Sequence, residues 1–232
     1  ALAKSGITVL THTAAESFEQ NGNGAVLRTK DGSEHAADRI LVAVGRRPRT
    51  RDLGLEFCGV ELDERGFVRV DGKLQTTAPN IYAIGDVVPG PMLAHKASED
   101  GVQVAETLAG HPRAIDYDLI PQAIFTDPEI ASVGLSESGA KASGSEILVG
   151  RFPFAALGKA LGMREADDHR ILGVQIIGAE ASDLISEAAI AVQSSLTLEA
   201  IADAVHPHPT LPEGLKEAAE NALGRAIHTV NR

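Results

Sequence analysis

The run His206-Pro207-His208-Pro209-Thr210-Leu211-Pro212-Glu213 holds the residues of this chain best suited to moving a proton. An imidazole titrates near neutral pH, which is what a general acid/base requires. Proline fixes φ and donates no backbone N–H, so the prolines on either side of His208 make a stiff, extended mount ahead of a helix. Glu213, one turn into that helix, can hold the imidazole in a single tautomer and steady its protonated form. The same glutamate fits a capping box, with Thr210 at the N-cap and Glu213 at N3. The two readings are compatible, because one glutamate can cap a helix and also face a histidine. A metal site at His206 and His208 would have two close ligands and no cysteine cluster behind it, so none is expected.

Two further features could bind a ligand. Ile81-Tyr82-Ala83-Ile84-Gly85-Asp86 reads as a strand that ends in a glycine and a carboxylate. In open α/β sheets that edge is where ligands sit. Gly85 lets a ligand approach the backbone, and Asp86 can accept hydrogen bonds from sugar-like hydroxyls or simply form a turn. Gly90-Pro91-Met92-Leu93-Ala94-His95-Lys96-Ala97 then opens a helix, whose free N–H groups and partial positive charge attract an anion.

The elements around these residues follow from pattern. Ser5-Gly6 closes a helix, Ile7 to Leu10 is a short strand, and Arg39 to Gly45 is a buried strand. Asn21-Gly22-Asn23-Gly24 and Asp31-Gly32 are hairpin turns flanking residues 25–29. Gly22-x-Gly24 lacks the third glycine and following helix of a dinucleotide fingerprint. Phe67 to Val70 is a strand, and a helix runs from about Leu93 to Leu108 with Ala97, Val104 and Leu108 on its apolar side. Strands at 149–154 and 171–178 precede helices at Ser182–Leu196, at 198–205 behind Thr197, and at Leu211–Leu223. The fold class is α/β and α+β.

Composition narrows the function. The 21 Lys and Arg against 32 Asp and Glu give a formal net charge of −11, which argues against nucleic acid or an acidic membrane surface as partner. No apolar run reaches the length of a membrane span. The single cysteine, Cys58, excludes a disulfide framework within these residues and points to a cytoplasmic setting. The chain opens on Ala1-Leu2-Ala3-Lys4 and reads as if it begins partway through a protein.

Five runs resemble the pyridine nucleotide–disulfide oxidoreductases: Leu41–Pro48, Tyr82–Asp86, Pro91–Ala97, Phe125–Gly134 and His206–Thr210. Gly45-Arg46-Arg47-Pro48 and Met92-Leu93-Ala94-His95-Lys96 are similar to the lipoamide branch in particular. The resemblance implies the end of an NAD domain at 1–45, the returning part of an FAD domain at 46–112 and an α+β dimer-interface domain at 113–232. It implies that Asp86, after Gly85, meets the flavin ribityl chain. The backbone at Met92, Leu93, Ala94 and His95 would run along the isoalloxazine, where the helix start supports the negative charge of a reduced flavin. Gly45 would approach the nicotinamide nucleotide. His208, oriented by Glu213, would deprotonate the dithiol in the partner subunit's active site. The implied reaction passes electrons from dihydrolipoamide through a redox disulfide and FAD to NAD, in a homodimer that serves a 2-oxo acid dehydrogenase complex. In a eukaryote its place would be the mitochondrial matrix.

Three departures from the family pattern stand out. The first dinucleotide fingerprint and the Cys-x4-Cys redox pair are not among these residues. Cys58, in Glu56-Phe57-Cys58-Gly59-Val60, reads as buried and cannot replace that pair. The segment 162–170 is short by about one strand and turn, roughly ten residues. Pro212 stands where a small polar residue is common. Other readings are a glutathione or mercuric reductase, or a dimerisation module without redox chemistry.

Overall fold

The computed structural model describes residues 2–22, 24–144, 146–154, 158–165 and 168–231. Two compact units divide the chain at 47/48.

The first unit is a three-stranded antiparallel meander, β1 (Ala15–Asn21), β2 (Gly24–Thr29) and β3 (Glu34–Ala37), in that order. The turns sit where the glycines forecast them, although Asn23 lies outside the described residues. Arg28 ties the three strands together through Glu19 at 2.6 Å and Glu34 at 2.8 Å. Two expectations fail. Residues 7–10 form no strand, and neither do residues 39–45, where Leu41, Val42 and Val44 are 90%, 71% and 91% exposed. A strand is stable only when a neighbour takes up its backbone groups. The described meander is complete without either segment.

The second unit has two cores. The smaller gathers Val60, Val68, Leu74, Ala78 and Val88. The strands expected at 67–70 and 81–86 do not form as regular strands: isolated bridges join Leu62 to Val68, Val70 to Thr76 and Gln75 to Tyr82, and Gly85–Val87 is a 3-10 turn. Asp63 and Asp71 set the intervening turns by accepting backbone N–H groups two and four residues on. Cys58 is exposed, contrary to expectation. It follows a 3-10 turn, Leu55–Phe57, that leaves its thiol outside the core and bonded back to the Leu55 carbonyl at 3.3 Å.

Helix α1 (Ala94–Leu108) keeps its expected apolar side in part: Val104 packs on the smaller core and Ala97 is half-buried, but Leu108 is not covered, and Asp100, expected on another side, lies inside. Its fully buried residues are Lys96, Asp100 and Gln103, whereas Val102 is 43% and Leu108 67% exposed. These polar groups are buried because each has a partner, as described below.

The larger core belongs to an antiparallel sheet of order β4-β5-β8-β7-β6, built from Gln122–Ile124, Glu129–Gly134, Ile171–Gly178, Gly158–Glu165 and Ile147–Phe154 respectively. Strand β7 lies between β8 and β6. The sheet therefore closes across the segment that the sequence reads as one strand short; Ala166 and Asp167 there lie outside the described residues. A short α2 (Glu137–Ala142) links β5 to β6. Helix α3 (Ala181–Gln193) lays Ile185, Ala188, Ala189 and Val192 on Ala131 and Val133 of β5 and Val174 and Ile176 of β8. Burial of such side chains contributes roughly 1.5–3 kcal/mol each for the larger ones.

Helices α4 (Leu198–Ala202) and α5 (Glu213–Ala222) complete this core through Leu198, Ile201, Leu215 and Ala219. Two devices fix α5. Asn221 accepts the Arg151 N–H at 2.9 Å, while Gly150 leaves no room for a Cβ, which would stand 2.0 Å from the Ala218 carbonyl oxygen. The Lys216 ammonium also donates to the Ala202 carbonyl at the end of α4. The proline-rich segment 203–212 is thus strung between two helices held against the same core.

Candidate functional site

The structure brings His208 and Glu213 together. Oε1 of Glu213 lies 2.9 Å from Nδ1 of His208, and Oε2 accepts the Thr210 N–H at 2.7 Å. The capping box is therefore half made: the glutamate reaches back as expected, but the Thr210 hydroxyl donates to the Pro207 carbonyl at 2.6 Å instead of capping. Helix α5 accordingly starts at Glu213 behind Pro212, two residues later than the sequence suggests. Proline is tolerated there because the first N–H groups of a helix have no partner within it. The Thr210 N–H and then His208 hold the Glu213 carboxyl below the usual carboxylate range, with a further contribution from His228.

This geometry leaves one nitrogen free for chemistry. The His208 side chain is 77% exposed and that of Glu213 29%. With Nδ1 committed to the carboxylate, Nε2 faces outward as the atom that can take or return a proton. Two more histidines sit close in the chain with carboxylate partners of their own. His206 is nearly buried and meets Glu187 of α3 at 3.0 Å. His228 meets Glu217 of α5 at 2.8 Å. His206 and His208 thus turn to different carboxylates. Neither Glu187 nor Glu217 was read from sequence: Glu187 lies 19 residues from its histidine, beyond any local spacing rule. Glu217 falls one turn after Glu213, the one hint available.

The other predicted group gathers at Gly85–Val87 and the start of α1. Gly85 is buried at φ +77°, a conformation that glycine adopts without strain, and Asp86 next to it is exposed. Beneath this turn lies a polar network around the buried Lys96 and Asp100. The Lys96 ammonium contacts the Asp100 carboxylate at 2.8 Å and the Gly85 carbonyl at 3.0 Å. Asp100 also accepts the Gly85 N–H at 2.9 Å and the Tyr117 hydroxyl at 2.8 Å. The ammonium lies over the Tyr117 ring, 4.7 Å from its centre. Burial, and then the bond to Asp100, pushes the Tyr117 hydroxyl upward. Lys96 and Asp100 stand four apart, a spacing legible in sequence, but charged residues are rarely fully buried and their place inside was not foreseen.

Helix α1 itself opens behind Leu93 with no side-chain cap and no acid in its first turn. Met92 and Leu93 are half-buried, and Ala94 and His95 are exposed. His95 spans to the Pro121 carbonyl at 2.8 Å. The uncompensated N-terminal charge, the exposed carboxylate and the glycine turn fit a flavin: a dipole for its anionic ring, an acceptor for its hydroxyls and a close backbone approach. In the first unit, Gly45 is at φ +118° with open space where a Cβ would be. No helix among the described residues is long and apolar enough to cross a membrane.

These elements define a class. Residues 1–101 match the model "Pyridine nucleotide-disulphide oxidoreductase", and residues 120–219 match its "dimerisation domain". The chain belongs to the pyridine nucleotide–disulphide oxidoreductase family. Within that class, it is similar to proteins named dihydrolipoyl dehydrogenase. It is 46% identical to the Geobacillus stearothermophilus protein, over all of this chain and 52% of that one. It is 48% identical to the Haloferax volcanii protein, over 92% of this chain and 48% of that one. The Geobacillus alignment runs over 244 positions against the 232 residues here, so this chain is the shorter within the matched region. Among solved structures, LpdA from Mycobacterium tuberculosis superposes with a TM-score of 0.86 at 26% identity, over 94% of this chain and 50% of that one. The HOCl-induced flavoprotein disulfide reductase RclA from Escherichia coli gives 0.85 at 26%, over 94% and 53%. The chain spans about half the length of the relatives it matches.

Proposed function

We propose that this chain is the C-terminal part of a dihydrolipoamide dehydrogenase, a homodimeric flavoprotein that oxidises the dihydrolipoyl group and passes its electrons to NAD. The observation that carries this reading is the outward-facing His208 held by Glu213, on a family scaffold whose named relatives share 46–48% identity. Residues 1–45 are the end of the NAD domain, 46–112 the returning part of the FAD domain and 113–232 the interface domain.

His208 removes a proton from the dithiol, so that a thiolate attacks the redox disulfide. A thiolate, not a thiol, is the nucleophile in such an exchange. Glu213 fixes the tautomer that leaves Nε2 free and stabilises the imidazolium once it forms. The exposure of His208 suits a base that serves the partner subunit's site. With one cysteine among 232 residues, this chain does not supply the disulfide. Asp86 and Gly85, with the backbone at Met92, Leu93, Ala94 and His95, hold the flavin, and Gly45 lies toward the nicotinamide nucleotide. FAD supplies the two-electron relay between disulfide and NAD. Lys96, Asp100 and Tyr117 keep the Gly85–Asp86 turn in place. The setting is the cytoplasm, or the mitochondrial matrix in a eukaryote, and the lipoyl group is presented by a 2-oxo acid dehydrogenase complex.

The test is substrate choice. The purified flavoprotein that carries this chain is expected to reduce NAD with dihydrolipoamide and to leave glutathione disulfide and mercuric ion unreduced. Reduction of either at a comparable rate, without dihydrolipoamide turnover, would replace this reading with another member of the family.

A further inference from the structure

The pair His208–Glu213 explains how the imidazole is rotated, but not how its mount is held in place. Segment 203–212 has no regular structure, and most of its side chains are exposed, Val205 by 96%. An exposed base that must meet a sulfur on a separate element needs its own backbone fixed, because misplacement by about 1 Å can cost on the order of 100-fold in rate.

His206 is the exception in this segment. Its side chain is 7% exposed. Nε2 stands 3.0 Å from Oε1 of Glu187 on α3, and Nδ1 stands 3.2 Å from the Ala204 carbonyl oxygen. Both ring nitrogens therefore face an acceptor, and the ring is turned inward where His208 is turned out. Glu187 is set in α3 between Ile185 and Ala188, both buried in the main core, so the backbone that carries the partner of His206 is anchored there. Pro207 links the two histidines and admits little backbone freedom. The Thr210 hydroxyl closes the other side by donating to the Pro207 carbonyl.

We propose that His206 is a positioning residue for the acid/base His208, and that its bond to Glu187 pins the proline-rich mount to α3. This rests on the reading of His208 as the base. His206 exchanges no proton in the reaction; it sets where the backbone of His208 stands, while Glu213 sets how the ring is turned. A histidine suits this place because a flat ring turned inward can present an N–H to a neighbouring helix.

The test uses the dimeric holoenzyme with His206→Ala, His206→Gln, Glu187→Ala and the double variant His206→Ala/Glu187→Ala. The kcat for dihydrolipoamide-driven NAD reduction, the rate of NADH-driven reduction of an artificial acceptor and the melting temperature are measured for each. His206→Ala is expected to lower the dithiol kcat by about ten- to a hundredfold and to leave the acceptor reaction within about twofold. His206→Gln should recover most of the loss, because its amide nitrogen can stand where Nε2 stood. The double variant should be no slower than His206→Ala, since both changes cut one tie. A purely structural histidine would lower the melting temperature and leave the dithiol kcat in place, which overturns the inference. So does a double variant in which the two losses multiply. Should His206→Ala not fold, Glu187→Ala decides, as a half-exposed helix position that leaves the core intact; an unchanged dithiol kcat there overturns the inference equally. A wild-type protein that does not turn over dihydrolipoamide would instead overturn the reading of the function.

Discussion

The carboxylate of Glu213 binds His208 with one oxygen and the Thr210 N–H with the other, at 2.9 and 2.7 Å. One side chain therefore orients the base and pins the start of α5. Replacing it by glutamine keeps one acceptor oxygen and loses the charge. Dithiol-driven turnover of Glu213→Gln should fall, but less than when the imidazole itself is removed. Steady-state rates with dihydrolipoamide check this. An unchanged rate with only a lowered melting temperature would make the glutamate a cap and nothing more.

The same carboxylate makes stability depend on pH. Its pKa is lowered in the folded chain, first by the Thr210 N–H and then by His208. A lowered carboxyl stabilises the fold above its unfolded value and loses that contribution as pH falls through its folded value. The difference in melting temperature between wild type and Glu213→Gln should therefore be constant at neutral pH. It should shrink below the ordinary glutamate value of 4.5. Thermal melts at pH 7, 5 and 3.5 test this; a difference that grows toward acid would have the wrong sign.

Asp100 sits at the centre of the buried network, with Lys96, Gly85 and Tyr117 all donating to it. Asp100→Ala leaves an amide and a hydroxyl without that acceptor and leaves the buried ammonium, still bonded to the Gly85 carbonyl, without its countercharge. Breaking a buried ion pair from one side costs about 3–5 kcal/mol. Chemical denaturation should show a loss of that size, together with weaker flavin retention as the Gly85–Asp86 turn loosens. A loss under about 1 kcal/mol would mean that water reaches the pair.

Gly150 lets α5 approach β6. A Cβ there would meet the Ala218 carbonyl oxygen at 2.0 Å and the Ala222 methyl at 2.7 Å. Gly150→Ala should cost about 3 kcal/mol through this overpacking. The melting temperature should drop by roughly 6–12 °C for a domain of this size. A melt within 2 °C of wild type would show that α5 shifts freely on the sheet.

Sequence pattern carried some elements well and others poorly, for physical reasons. Strand β8 was legible to the residue and helix α3 in its start and apolar face, though it ends at Gln193 and not Leu196, because their apolar residues face a core whose other half is also in this chain. The apolar segments at 40–44 and 81–84 have the composition of strands but lack continuous neighbours. A period in the sequence states a preference, while pairing decides the strand. On α1 the expected apolar side turns Val104 inward, but Lys96, Asp100 and Gln103 are buried beside it, which an apolar pattern does not signal. At the site, His208 and Glu213 could be paired from spacing alone. The His206–Glu187 tie could not, since only the packing of α3 brings Glu187 to the loop.

The central claim is that His208 is the base for dithiol oxidation, and one measurement meets it directly. In the holoenzyme, His208→Gln is compared with wild type in two reactions: NAD reduction by dihydrolipoamide, and reduction of an artificial acceptor by NADH. Only the first requires a proton to be taken from a thiol. Loss of a positioned general base costs about 10²–10⁴-fold. The account predicts a loss of that order in the first reaction and a rate within about twofold of wild type in the second. Equal rates for wild type and variant in the dithiol reaction, or an equal loss in both reactions, would contradict it.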